Sequence, residues 1–341
     1  MAAGLAVERL LYYLPALGHY EGMARRRISI STAIRQRVPR GARVLVAVSG
    51  GRDSMVLLHA MLAERRLLKL EVEVSHIDHG LRTDSARDAE FVSEMCKVWN
   101  VPCHVRRLPE KPEGENTEAW GRTLRYRHFA QILSERNLDL LVTAHTANDV
   151  AETLLMRLLA NKELNTIEEE DPVRRCVRPL LDISREHIDQ YVEEHALSYR
   201  EDSSNADCSF VRNRIRQRVL PLLIEAFDPS MVWILAEQAQ SIAQDCEALQ
   251  NLAHEVASRI GPFREGDPQW VRGLREALHG LDHAVRWRVV QYLWTPVLGF
   301  TVGRGKALAI VEIISGEGGK LSLNSSIALV CDKYGVRLEP C

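Results

Sequence analysis

A continuous apolar run, Val44-Leu45-Val46-Ala47-Val48, stops at Ser49-Gly50-Gly51-Arg52-Asp53-Ser54 and gives way to Met55-Val56-Leu57-Leu58 with Ala60-Met61-Leu62, the apolar side of a helix. An uninterrupted run of strand length reads as a strand buried on both faces, as in a parallel sheet. The polar turn therefore joins the carboxyl end of a central strand to the amino end of a helix. Helix N–H groups and the positive end of the macrodipole converge there, and Gly50 and Gly51 let the backbone approach an anion with no Cβ in the way. A chain with this junction is constrained to an α/β sheet that holds phosphate.

The turn is not a Walker A loop, since it lacks the GK[ST] ending, and it is not GxGxxG. Ser-Gly-Gly-x-Asp-Ser resembles the PP-loop of the ATP pyrophosphatases, which cleave ATP between its α and β phosphates. Asp53 beside phosphates implies an intervening Mg²⁺, so it is a candidate metal or pyrophosphate organiser. The alternative is a turn in which Ser49 and Asp53 only cap the helix.

Strands are expected at 70–77, 102–105 and 138–144, with helices at 84–99, 116–136 and 148–159. β and α thus alternate through four units, which predicts a doubly wound, Rossmann-like parallel sheet with its ligand over the carboxyl edge. Two polar clusters fall at strand ends on that edge. His76-Ile77-Asp78-His79-Gly80-Leu81-Arg82 offers backbone groups to a base and the Arg82 fork to phosphate or carboxylate. His145-Thr146-Ala147-Asn148-Asp149-Val150-Ala151-Glu152 spaces its acids to converge on one Mg²⁺ or on an amine. A third cluster, Glu118, Arg122 and Arg125, lies on one helical face, where a solvated ion-paired surface is the ordinary meaning.

Farther on, Arg212, Arg214, Arg216 and Arg218 form two basic stripes on a helix, suited to RNA phosphates or to pairing with Glu201, Asp202 and Asp207. The four clusters, with Asp202-Ser203-Ser204-Asn205 and Arg212-Asn213-Arg214-Ile215-Arg216, resemble in order the motifs of the tRNA(Ile)-lysidine synthetase family. The resemblance is strong over 41–221 and weaker over 319–338. It implies adenylation of the wobble cytidine C2 oxygen in a CAU-anticodon tRNA(Ile) by ATP, followed by attack of free L-lysine through its ε-amine. It implies Ser49 to Ser54, His76 and Arg82 at the nucleotide, with Asp53 and Asp149 as Mg²⁺ ligands. His145, Asp149 and Glu152 join Asp53 in the chemistry, and Glu118, Arg122, Arg125, Arg212, Arg214 and Arg216 contact the substrates.

The chain departs from the family pattern after the Glu152 helix. Leu159 to Asn165 carries no glycine, and Glu168-Glu169-Glu170-Asp171 is a run of acids expected to repel a phosphate backbone. Asn148 stands where an acid is frequent, and Asp78 where Asn is usual.

A formal net charge of −2 over 341 residues gives no polybasic field, so RNA contact must come from local arginines. The seven cysteines are scattered without a C-x-x-C pair, which fits reduced thiols and removes the paired cysteines that thiolating relatives commonly use. No apolar run approaches the roughly 20 residues of a membrane span. Residues 1–40 are expected as a helical extension, 41–221 as the catalytic domain, and 222–341 as a helical connector and small α+β substrate domain. A cytoplasmic protein is expected, with organelle import the alternative because the first 40 residues are rich in arginine. A homodimer is compatible with the family. The competing functions are another PP-loop tRNA modification such as thiolation, and a non-catalytic ATP- or RNA-binding relative.

Overall fold

The computed structural model describes residues 28–78, 85–109, 117–160, 164, 166–200, 211–316 and 318–341. His79, Arg82, residues 1–27, the 202–205 motif and the side chain of Glu118 lie outside the described residues. Contacts divide the chain into two compact units, Met1–Thr146 with Glu169–Glu201, and Ala147–Glu168 with Asp202–Cys341.

The first unit contains α1 (Ile30–Arg37), β1 (Arg43–Ala47), α2 (Arg52–Leu68), β2 (Glu71–Asp78), α3 (Ser85–Val98), β3 (Cys103–Arg107), α4 (Thr117–Glu135) and β4 (Leu140–Val142). After residue 168 it adds β5 (Glu170–Asp171), β6 (Cys176–Val177) and α6 (Arg185–His195). The sheet order is β3-β2-β1-β4-β6-β5, parallel throughout except for the β5–β6 pair. The doubly wound expectation is met in physical detail. Val44 and Val46 pack into one core with Ile34 of α1, Val56 of α2 and Val92 of α3, whereas Leu45 packs into the opposite core with Phe129 and Leu133 of α4. Alternation of side chains along a strand supplies both faces, and each face is covered by helices.

β1 pairs with β2 on one side and β4 on the other, with Val46 opposite both Val74 and Val142. The order reverses between β1 and β4, the switch point at which open sheets of this kind leave a crevice beyond their strand ends. The segments after Ala47 and after Val142 both begin there. β4 is shorter than the expected 138–144: Leu138 turns its N–H back to Leu133 at one end, and at the other Thr143 makes a last bond to Val177 of β6. β5 and β6 have two residues each, too few for a periodic pattern, and they occupy and follow the acidic run.

That run is largely compensated. Glu169 pairs with Arg37 at 2.6 Å, and Asp171 pairs with Arg174 at 2.6 Å and with Arg178 at 3.7 Å. The repulsion expected from four bare acids is correspondingly reduced.

α2 and α6 meet through an imidazole cluster. His59 Nδ1 lies 3.0 Å from the Tyr191 hydroxyl, and its ring is 5.0 Å from that of His195. Burial and then the neighbouring His195 charge hold the His59 pKa below its ordinary value, and burial pushes the Tyr191 phenol up to about 12.

The second unit contains α5 (Ala147–Leu159), α7 (Val211–Arg214), a π-helical turn (Ile215–Val219), α8 (Leu220–Ala226) and the long α9 (Met231–Ile260). It continues with α10 (Pro268–His279), α11 (His283–Leu298) and α12 (Arg304–Ser315), then a sheet of β7 (Gly319–Ser322), β8 (Ile327–Asp332) and β9 (Gly335–Pro340) in antiparallel order. Its core gathers Trp270, Trp287, Trp294, Leu274, Ile310 and Val336. Gly335 has φ +117°, and a Cβ there would stand 2.9 Å from the backbone of Gly266, so the β8–β9 turn closes against that loop only with glycine. α5 packs along α9 and against α7, which puts it in the second compact unit although it lies inside the 41–221 stretch. Among the described residues no single helix is long and apolar enough to cross a membrane.

His59, His76 and His128 all have pKa values held below 6.5, chiefly by burial. The fold favours their neutral forms. The stability they contribute is complete above the unfolded value and is lost as the pH falls through it toward the folded values. We expect the urea unfolding free energy to drop between about pH 7 and about pH 5, and His59→Gln to shallow that drop. A profile flat across this interval would exclude the imidazoles as its source.

Candidate functional site

The loop after β1 is cinched by one hydroxyl. Ser54 Oγ donates to the Gly51 carbonyl at 2.8 Å, accepts the Ser49 N–H at 3.2 Å and lies 3.2 Å from Ser49 Oγ. Gly51 is the residue before α2 and brings no side-chain hydrogen bond to the first turn. The helix amino terminus is therefore capped by backbone alone, which leaves its dipole directed at an incoming anion. Gly50 has φ +89°, and a Cβ there would meet Val92 Cγ2 at 3.3 Å, so the tight approach of α3 also requires glycine. Its carbonyl accepts the Arg200 N–H at 2.9 Å, tying the loop to the chain after α6.

Asp53 stands in the first turn of α2 with its side chain partly exposed. Arg52 keeps its Nε 3.8 Å from the Asp53 carboxylate. Its guanidinium pairs with Asp189 of α6 and lies 5.9 Å over the Tyr199 ring, so in this structure it fastens α6 to the loop. Neither Asp189 nor Tyr199 carried any sequence signal for this contact, because α6 was not expected.

His76 is buried at the end of β2, with Nδ1 donating to the Val48 carbonyl at 2.8 Å. Burial holds its pKa down, against the opposing pull of that carbonyl, so the ring is neutral near pH 7. The bond restrains the last residue before Ser49, which makes His76 a support for the loop. His145 follows β4, and its Nδ1 lies 3.0 Å from Thr143 Oγ1, which orients the ring. On α4, Arg122 is exposed with its guanidinium 5.1 Å over the Tyr126 ring, and Arg125 is half-buried.

The second unit holds a separate charged cluster. Asp149 and Glu152, one turn apart on α5, face Arg212 and Arg216, one turn apart across α7 and the π turn. Arg212 donates Nε to Glu152 at 2.8 Å and Nη2 to Asp149 at 2.7 Å. Arg216 donates Nε and Nη2 to Glu152 at 2.6 and 3.0 Å. Glu152 is only 1% exposed. Burial alone would lower the Arg212 pKa, but the Asp149 and Glu152 carboxylates override it and hold it above the ordinary value. Arg212 and Arg216, expected on RNA phosphates, are here the counter-ions of the acids expected to hold an amine or metal. Arg214 is exposed.

The sequence shows each half of this pairing, acids at helical spacing and arginines at helical spacing, but not that the two rows meet. The π turn is also explicable. Pro221 lacks an N–H, and Leu220 donates back to Ile215, five residues earlier.

Two carboxylate environments differ in their fit to Mg²⁺. Asp53 is a single acid at an anion site, the arrangement in which Mg²⁺ takes one or two carboxylates and completes its shell with phosphate oxygens and water. Asp149 is already held by two guanidiniums, which leaves a cation little room in this arrangement. Among the described residues there is no group of three or more His, Cys, Asp or Glu side chains placed to hold a metal.

Sheet order and loop geometry together are those of a nucleotide-binding PP-loop domain, and residues 25–223 match the family model of that domain. The chain belongs to the tRNA(Ile)-lysidine synthase family of PP-loop proteins. It is 38% identical over 227 residues to the tRNA(Ile)-lysidine synthase of Clostridium perfringens strain 13, covering 64% of this chain and 48% of that one. To the Nostoc tRNA(Ile)-lysidine synthase it is 34% identical over 231 residues, covering 66% and 67% of the two chains. It spans about half the length of several of the curated relatives it matches. A solved structure, the U34-tRNA thiolase NcsA from Methanococcus maripaludis with its [4Fe-4S] cluster, shares the fold with a TM-score of 0.56 at 13% identity, over 63% of this chain and 78% of that one.

The acid–arginine cluster is expected to be structural as well as chemical. Arg216→Ala takes two hydrogen bonds from the buried Glu152 and leaves it to Arg212 alone among the described residues, which should cost about 2 kcal/mol in urea unfolding, within the range for hydrogen bonds to charged groups. A double-mutant cycle with Glu152→Gln should return a large share of that cost as coupling. A cost below about 1 kcal/mol would reduce the cluster to the value of a surface pair.

Proposed function

We propose that the chain forms lysidine at the wobble cytidine of a CAU-anticodon tRNA(Ile), using ATP and free L-lysine, in the cytoplasm. The observation that carries the reading is the start of α2, where Gly50 and Gly51 present an uncapped helix terminus with Asp53 in its first turn. Family membership supports tRNA as the substrate class.

In the first step the cytosine C2 oxygen attacks the α phosphate and pyrophosphate leaves. Charge accumulates on the departing pyrophosphate, and fixed N–H donors at the loop stabilise it most where it grows. Mg²⁺, when bound, would neutralise part of that charge, with Asp53 as its protein ligand. His76 keeps the loop entrance in place through Val48, and Arg82, Arg122 and Arg125 are assigned to phosphates or to the lysine carboxylate, with Glu118 beside them.

In the second step the ε-amine attacks C2 and AMP leaves. The amine must arrive unprotonated, and His145, oriented by Thr143, is the proposed proton acceptor. Asp149 and Glu152 are the proposed amine-binding acids. Their present partners are cations, which supports the assignment: an ammonium can take the place of a guanidinium without leaving the buried carboxylates uncompensated. Capture of lysine then displaces Arg212 or Arg216, and Arg214 remains as the phosphate contact of that segment.

Mass spectrometry of the wobble nucleoside tests the reading. Given ATP, Mg²⁺, lysine and CAU-anticodon tRNA, the protein is expected to add lysine to the cytidine, and Asp53→Asn is expected to abolish pyrophosphate release while leaving the unfolding transition unchanged. Unmodified cytidine under these conditions, or sulfur in place of lysine, overturns it.

A further inference from the structure

The hairpin β5–β6 ends in Pro172-Val173-Arg174-Arg175, and its tip joins the Arg122 face of α4 within the first unit. Arg174 places its guanidinium 4.7 Å from the Tyr126 ring centroid, and Arg122 places its own at 5.1 Å. Tyr126 is fixed from beneath by an edge-on contact with Phe129 at 6.0 Å. Arg174 is fixed by Asp171, which accepts both its backbone N–H at 3.1 Å and its Nη1 at 2.6 Å. Arg175 adopts φ +49° and donates to the Leu138 carbonyl at 3.1 Å, so the tip is braced on both sides. At its apex Val173 is 92% exposed.

Among the described residues no carboxylate pairs with Arg122. Among the described residues its charge is offset by the ring, which attracts a cation but does not neutralise it. Asp171 compensates one arginine of the tip, Glu170 is exposed on the strand behind it, and Arg122 with Arg175 leaves the face cationic.

We propose that this platform, Arg122, Tyr126 and Arg174 with Val173 at its apex, is a contact surface for an unstacked loop of RNA. The inference rests on the reading of a tRNA substrate and assigns that substrate a docking surface outside the PP-loop and the acid–arginine cluster; of the ligands given to Arg122 above it selects phosphate, that of the RNA. The chemistry fits single-stranded RNA. The Arg122 and Arg174 guanidinium planes, held against Tyr126, present stacking faces to splayed bases, their N–H groups meet phosphates, and a bare aliphatic apex can wedge between bases. It does not fit an apolar protein partner, because Val173 stands alone among arginines.

The test is fluorescence anisotropy with a labelled CAU anticodon stem-loop, without ATP or lysine, at two salt concentrations. Arg122→Ala removes an exposed charge that no carboxylate pairs with among the described residues, and Val173→Asp adds an acid at a position with no packing to lose, so both variants should keep the wild-type melting temperature. Each is expected to weaken binding about fivefold or more, the scale of one lost stacking contact. Arg122→Ala should also flatten the salt slope by about 0.7, the value for one phosphate contact on a single strand. Wild-type affinity in either variant overturns the surface while leaving the tRNA reading standing. Failure of the unmodified protein to bind the stem-loop overturns both.

Discussion

The burial of β1 on both faces is the constraint on which the first unit depends. Val44 and Val46 serve one core and Leu45 the other, so a single strand is the wall shared by two helical layers. Such a strand has no solvent-facing side on which to place chemistry. Everything polar is pushed to its carboxyl end, where Ser49 to Ser54 must turn the chain into α2. Gly50 is there because α3 comes close, and the closeness exists because α3 covers the same core.

The second unit solves a different problem. A carboxylate as enclosed as Glu152 is tolerated only when opposite charge and hydrogen bonds reach both oxygens. Arg212 and Arg216 do so, with Asp149 balancing the second guanidinium. The cluster is electrically neutral and rigid at rest. Its neutrality also means that it casts little field into solvent.

Much of this was legible before the coordinates. The loop announced itself because a buried strand, a glycine pair and a helix produce three distinct local patterns in succession. β2 and α2 to α5 are long enough to show a period, and β1 and the three-residue β4 were readable as apolar runs between polar segments. β5 and β6 were not, since two residues carry no period, and α6 was overlooked although Ile188 is its buried anchor. The charged residues of the clusters are readable as types, but not as neighbours. Spacing along a helix shows which charges share a face, but the partner of that face lies some sixty residues away, as with Arg212 and Glu152, and no local pattern encodes it. Arg52 is the same case: its place in the loop was plain, and its attachment to Asp189 depended on a helix not expected.

Pro221 draws these threads to a single atom. Without its N–H the helix cannot keep the ordinary repeat, and Leu220 reaches back to Ile215 instead. A π turn adds one residue to the winding, which rotates all that follows by about 100° relative to what precedes it. The proline is thus a phase setter. It decides which sides of α7 and α8 look the same way, much as an offset tooth decides how two gears mesh, and a neutral change there would re-index every downstream side chain without altering one of them.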